Sequence, residues 1–391
     1  QEHERIDLVE HPSPIPRWEL VKNDQYLVHM VQTTRGCPYD CEFCDVVSLF
    51  GRKSRHKSIK QVIAELLYVA NLGVYEVVFA DDNFIGNREY AKALLKEIIE
   101  LNAGLKYPLR FLSQVTLNCS DDDELMDLLK RANFESLFIG IETPNRESLI
   151  AANKRHNLRS DMLESIRKIQ KRGIMIIPGM IVGFDTDDLT IFDTQRQFLN
   201  MGGLVAPLMG MLMAPKGTKL WDRLESEGRL LGREFGESMM TTNIIPKQMT
   251  KDELTSNYID LIDTIYSKDY FKKSLQAFID QIDVNEIKRQ SAVATHLTFG
   301  RTPFFYTANA FRILWDYVKG GKEDIRFLWE ILRMTVRKSI YCLPVGFTAL
   351  LYFRTLNGFS RRHIQWLRAD QKARKNLEHA QSTCFARREL D

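Results

Sequence analysis

Between Leu27 and about Leu230 the apolar positions alternate between two rhythms. Short β-branched and aromatic runs predict strands at Leu27–Thr33, Tyr75–Ala80, Leu109–Val115, Ser136–Ile141, Ile174–Ile181 and Val205–Leu212. Spacing of three and four between them predicts helices at Ser58–Leu72, Arg88–Leu101, Ser120–Arg131, Ser160–Arg172 and Leu189–Met201. In the first helix Ile59, Val62, Ile63, Leu66, Leu67 and Ala70 share one face. Ser120 followed by Asp123 predicts an N-terminal cap. Strand–helix units of this kind predict parallel strands joined by right-handed crossovers. Six of them predict an α/β fold, a partial (β/α)6 TIM-like barrel that stops two units short of a full one.

After Ile245-Pro246 the rhythm becomes helical, with candidates at Lys251–Ser267, Pro303–Lys319, Asp324–Tyr341 and Ser360–Ala380. Phe304, Phe305, Tyr306, Phe311 and Trp315 crowd one segment. They read as core packing, with an apolar lid or groove for a hydrophobic substrate as the alternative. Ser339–Phe353 is uncharged but interrupted by Pro344 and Gly346. It is too short for the ~18 apolar residues of a spanning helix and reads as a buried or interfacial element. The chain opens at Gln1 and runs through a Pro-rich stretch, His11 to Trp18, which reads as a linker. The expected organisation is a linker from an upstream domain over 1–26, a barrel over 27–245, and a helical C-terminal substrate or lid domain over 246–391.

Composition narrows the partners. The 391 residues are 44% hydrophobic and 27% charged, with a net charge of +3, which describes a soluble globular protein and gives no case for nucleic acid. Residues 360–391 hold eight Lys/Arg against four Asp/Glu. A solvated terminal helix is the first reading of that tail, and a peripheral membrane contact the second. Six cysteines, three of them clustered, do not resemble a disulfide framework, and with no secretory signal visible a reducing, cytoplasmic setting is expected.

Those three cysteines carry the chemistry. Arg35-Gly36-Cys37-Pro38-Tyr39-Asp40-Cys41-Glu42-Phe43-Cys44 spaces its thiols C-x3-C-x2-C. A [4Fe–4S] cluster usually takes four cysteines. The next ones, Cys119, Cys342 and Cys384, are distant in sequence. Three ligands leave one iron open to bind a small molecule. A zinc site is the plainer alternative, but zinc prefers paired Cys/His groups in two halves, and no second half lies near.

The loop resembles the signature of the radical S-adenosylmethionine (SAM) enzymes, with Phe43 as its aromatic residue. The resemblance implies that the open iron chelates SAM, that one electron cleaves the sulfonium to a 5′-deoxyadenosyl radical, and that a flavodoxin or ferredoxin donates the electron. It extends to Phe79-Ala80-Asp81-Asp82-Asn83-Phe84, where it places the SAM ammonium on Asp81 or Asp82; capping of the next helix is the alternative. It places Glu142 of Gly140-Ile141-Glu142-Thr143 against the SAM ribose or methionyl end. It lays Gly183, of Gly179 to Asp185, along the adenine with Phe43, and gives Lys154 and Arg155 the SAM carboxylate, with a solvated helix start as their plain reading. Gln114 and Asn118 would face substrate or SAM. His29 reads as a core or mouth residue.

The order of motifs, ending in Ala214-Pro215-Lys216-Gly217-Thr218, resembles the cobalamin-binding class of the superfamily, the branch holding the hopanoid C-2 methylases. That branch implies cobalamin-dependent methylation of an unactivated carbon in an apolar, even lipid, substrate. No D-x-H-x-x-G loop occurs, so cobalamin is expected only in a longer, full-length protein. The alternatives are a radical SAM enzyme without methyl transfer (C–H abstraction, ring formation or C–C coupling) and a non-catalytic iron–sulfur scaffold.

Overall fold

A computed structural model describes residues 5–21, 26, 28–231, 241–288 and 314–388, without the side chains of 370 and 373–388. Six parallel strands form one sheet in chain order: β1 (His29–Val31), β4 (Glu76–Phe79), β5 (Arg110–Val115), β6 (Phe134–Glu142), β7 (Met175–Val182) and β8 (Leu208–Met211). Helices α2 (Ile59–Asn71), α3 (Arg88–Gly104), α4 (Asp123–Arg131), α6 (Met162–Lys171) and α7 (Ile191–Met201) supply the crossovers. The result is the half-barrel that the alternation predicts. A small antiparallel pair, β2 (Thr34–Arg35) with β3 (Arg55–His56), frames the cysteine loop, which also holds the short helix α1 (Val46–Phe50).

Alternate residues of the sheet pack against the helices. Phe79 stacks on Phe111 at 5.1 Å and on Phe134 at 5.9 Å, inside a core that also buries Val31, Val77, Ile139, Leu66 and Leu94. Met30 and Gln114, on the other face of their strands, stay exposed, as the concave side of an open half-barrel allows. Ser58 and Gln61 close a reciprocal cap on α2. The expected cap at Ser120 is corrected: Leu117–Asp121 forms a 3₁₀ turn, and the Asp122 carboxylate caps α4 by accepting from the Leu125 N–H.

Beyond the barrel lie α8 (Lys219–Ser226), α9 (Lys251–Ile265), α10 (Lys268–Gln281), α11 (Lys322–Lys338) and α12 (Leu343–Arg388). Phe271, Phe278, Phe327, Ile331, Leu350 and Phe353 form a second core. The uncharged stretch from Ser339 opens α12 rather than standing apart. Pro344 sits in the first turn, where its missing N–H costs no helical hydrogen bond. Gly346 lets α12 approach α11, since a Cβ there would lie 2.6 Å from the Thr335 Cγ2. The aromatic segment Phe304, Phe305, Tyr306 and Phe311 lies outside the described residues.

Candidate functional site

Parallel strands in chain order bring every strand-to-helix loop to one end of the sheet, and the cysteine loop leaves β1 at that end. Gly36 makes the turn into it at φ +95°, where a Cβ would press within 2.6 Å of the Lys53 carbonyl and 2.8 Å of the Gly51 carbonyl. Cys37 N–H donates to the Gly51 carbonyl (3.2 Å), and Cys44 N–H to the Cys41 carbonyl (3.1 Å). All three thiols are half-buried and free of disulfides. Burial pushes each thiol up, Cys44 to about 11. Cys119 and Cys342 are buried elsewhere in the fold.

The two carboxylates after β4 part company. Asp81 is buried, and both its oxygens are engaged: Oδ1 accepts from Thr33 N–H (2.6 Å) and Thr34 N–H (3.0 Å), and Oδ2 from the Thr33 hydroxyl. It ties the end of β4 to the end of β1, and burial raises it to about 6. Asp82 reaches the cysteine loop, where Oδ2 accepts from Gly36 N–H (2.7 Å). Neither caps α3, which Asn87 caps. Asn83, next in line, is buried and directs Nδ2 at Cys37 Sγ (3.8 Å), while its buried Oδ1 has no hydrogen-bond partner among the described residues. The sequence motif offers Asn83 as an amide beside the two acids for an ammonium group, and its place against the cysteine loop comes only from the fold.

Across the mouth, a bulge between Gly140 and Glu142 ends β6, and Glu142 takes φ +69°. Its Oε1 accepts from Lys154 Nζ at 2.6 Å, both side chains being buried. Gly140 makes room, since a Cβ there would lie 2.4 Å from that oxygen. Burial works against the Lys154 charge, but the Glu142 carboxylate and the Cys41 and Cys44 thiols hold the ammonium above its ordinary value. The same ammonium lies 5.8 Å from the Phe43 ring centre. Phe43 meets Phe184 edge-on at 6.1 Å, beside Gly183, whose φ of +98° and N–H bond to Asp187 (2.9 Å) fix the turn after β7.

The structure thus gathers Cys37, Cys41, Cys44, Phe43, Asp82, Glu142, Lys154 and Gly183 around one mouth. Arg155 is exposed. Asn118 donates to the Tyr39 hydroxyl (2.8 Å), and Tyr39 stacks on His156 at 3.8 Å; burial first, then Lys154 and Arg159, hold that imidazole neutral, at about 3. Sequence spacing did not single out this pair. His29 is buried and stacked on Trp18 at 4.7 Å.

Among the described residues no group of three or more His, Cys, Asp or Glu side chains is arranged to hold a metal ion. Desolvated thiols with an amide donor on one sulfur and a buried ammonium close by suit an anionic cluster.

Comparison with known proteins agrees. A model described as "Radical SAM superfamily" matches residues 31–194. That stretch is a radical SAM domain. A second model, a domain of unknown function (DUF4070), matches residues 218–364. The chain is 38% identical to the uncharacterized methyltransferase sll1242 of Synechocystis over 68% of its length and 50% of the relative's. It is 39% identical to the hopanoid C-2 methylase of Rhodopseudomonas palustris over 58% of its length and 43% of the relative's. The chain therefore spans about half the length of the curated relatives it matches. Among solved structures, the radical SAM methyltransferase TsrM of Kitasatospora setae aligns at 18% identity and a TM-score of 0.47, covering 51% of this chain and 37% of that one.

Proposed function

We propose that Cys37, Cys41 and Cys44 hold a [4Fe–4S] cluster with one open iron, that the barrel mouth binds SAM against it, and that the protein is a cobalamin-dependent C-methyltransferase for an unactivated carbon of an apolar substrate. The observation that carries the reading is that one loop, at the carboxyl end of one parallel sheet, holds three disulfide-free thiols beside the buried Glu142–Lys154 pair. When bound, the cluster and SAM supply one-electron cleavage of the sulfonium.

The chain's own residues orient and shield. Asp82 and the unpartnered Oδ1 of Asn83 provide acceptors for the SAM ammonium, and Asp81 holds the strand ends that carry them. Glu142 presents the carboxylate for the ribose or methionyl end. Lys154 neutralises charge near the thiolates and, with Arg155, is the assignment for the SAM carboxylate. Phe43 and Gly183 border the adenine. Leu254, at the start of α9, lies within 3.1–3.3 Å of a Cβ built on Gly183, so the helical region beyond Pro246 reaches the mouth and borders the substrate. Excluding water there protects a reactive site from wrong partners. A flavodoxin or ferredoxin would supply the electron, and cobalamin would bind the full-length protein.

Anaerobic reconstitution with iron and sulfide, followed by reduction in the presence of SAM, tests the core of this reading. We expect 5′-deoxyadenosine and methionine. A protein that binds four irons yet yields neither would be a scaffold. Failure of the full-length protein to bind cobalamin would remove methyl transfer and leave a radical SAM enzyme of another reaction.

A further inference from the structure

Helix α11 has two apolar faces, and among the described residues only one is packed. Phe327, Leu328, Ile331 and Thr335 are buried, with Phe327 5.7 Å from Phe271 and 5.3 Å from Phe353. Ile325, Trp329 and Val336 recur at spacings of four and seven, which places them in a second stripe, with Leu332 at its edge partly buried against the second core. Ile325, Trp329 and Val336 are exposed, Trp329 to 65%. Trp315 (58% exposed) and Val318, on the helical segment 314–319 before α11, and Ile340 after it are exposed as well. A packed soluble helix does not need this second stripe, and contiguous exposed apolar surface marks a contact.

Charge decides what the contact is. A turn of 3.6 residues sets Lys322, Arg326, Arg333 and Arg337 in a row directly beside the stripe, and all four are exposed. Of the acids of the helix, Asp324 lies away from that row, while Glu330 borders it and pairs with Arg326 within it. Glu330 accepts from Lys272 and Arg326, and Asp324 from Lys268. An apolar stripe with Trp at its border and a row with a clear cationic excess alongside matches an anionic lipid surface, into which a helix lays its apolar side while Lys and Arg meet the headgroups. A second copy docked by two-fold symmetry would set the same cations against one another. We propose that α11 docks the protein flat on anionic phospholipid bilayers through Ile325, Trp329 and Val336, with Lys322, Arg326, Arg333 and Arg337 as headgroup contacts. This is peripheral binding, since no described helix is long and apolar enough to cross a membrane.

Docking does not depend on the cluster, so its failure would leave the barrel reading intact. Co-sedimentation of the full chain with vesicles of phosphatidylcholine and phosphatidylglycerol, against phosphatidylcholine alone, is the direct test. The protein should pellet with the anionic vesicles, and less so as salt is raised. Ile325→Glu/Val336→Glu and Arg333→Glu/Arg337→Glu should each weaken partitioning roughly tenfold or more. Both pairs are exposed, so circular dichroism should remain that of the parent. The tryptophan emission lost in Trp329→Phe should shift to the blue and resist iodide quenching when vesicles are present. No pelleting with anionic vesicles overturns the proposal. So does equal pelleting of parent and both double variants, which would place the contact elsewhere. A parent dimer that Val336→Glu dissociates, without lipid binding, overturns it in favour of contact between copies. Trp329 already shielded from iodide in plain buffer overturns it in favour of cover by the chain itself.

Discussion

The two rims of the barrel mouth are built on different principles. On the β1–β4 side, Asp81 and Asp82 accept from backbone N–H groups of Thr33, Thr34 and Gly36, so the rim is set by the main chain. On the β6–β7 side, ion pairs do the holding. Lys154 meets Glu142, and Arg223 bridges Glu42 of the cysteine loop (2.6 Å) to Asp185 after β7 (2.7 Å), with Arg229 and Glu227 alongside. Backbone bonds fix one geometry. Ion pairs can be exchanged for a ligand's charges. The first rim is therefore a fixed jaw, and the second the one able to respond when a zwitterion such as SAM enters.

The cysteines between the rims carry the largest effect. Cys37→Ala, Cys41→Ala and Cys44→Ala should each lose the reconstituted cluster, measured as iron and sulfide, while Cys119→Ala and Cys342→Ala keep it. Loss in Cys119→Ala equal to that in Cys41→Ala would defeat the open-iron arrangement.

Next comes the responsive rim. Lys154→Met strands a buried carboxylate and should cost about 3–5 kcal/mol in denaturant unfolding. Glu142→Gln/Lys154→Met should recover much of that stability yet still lose SAM affinity by calorimetry. Affinity equal to the parent's would show that the pair is structural only.

On the fixed jaw, Asp81→Ala leaves two N–H groups and a hydroxyl without their acceptor, each worth about 1–3 kcal/mol. Asp81→Asn keeps an acceptor and should be much milder. Its pH profile sharpens the contrast. Asp81 is raised from 3.8 to about 6, so between those values the folded state holds the proton more tightly than the unfolded chain. Stability contributed by this group is therefore present at the acid end and falls as pH rises toward 6, by up to about 1.4 kcal/mol per unit. Asp81→Asn should flatten that slope in unfolding measured from pH 4 to 7. A slope unchanged from the parent's would count against the assignment.

The smallest effect belongs to Arg223. Its network is partly exposed, so Arg223→Ala should cost about 1 kcal/mol. The cysteine loop should then release its cluster faster to a chelator at high salt. The fixed jaw should show no such salt dependence.

Much of this was legible in the sequence. Strand β7 announces itself because Ile174, Ile176, Ile177 and Ile181 serve a strand buried on both faces. Gly36 and the three cysteines are local in sequence, so spacing alone delimits the loop. Pairing across the fold was not legible. Asp81 and Asp82 are adjacent letters, and only the fold decides that Asp81 meets Thr33 and Thr34 at the end of β1 while Asp82 meets Gly36 of the cysteine loop. Helix α10 went unread although Phe271, Leu275 and Phe278 keep helical spacing, because α9 ends only two residues before it begins. The β2–β3 pair is too short for any alternation to show.

The sheet's outline has a consequence for how the chain behaves in a crowd. Its central strand β6 has nine residues, while β1 has three and β8 four. A half-barrel, unlike a closed one, has two open borders, and an open border offers unpaired backbone groups to any extended chain nearby. Here both borders are strands of only three and four residues, too brief to template a growing stack. The fold can leave its barrel open without inviting aggregation along the strands.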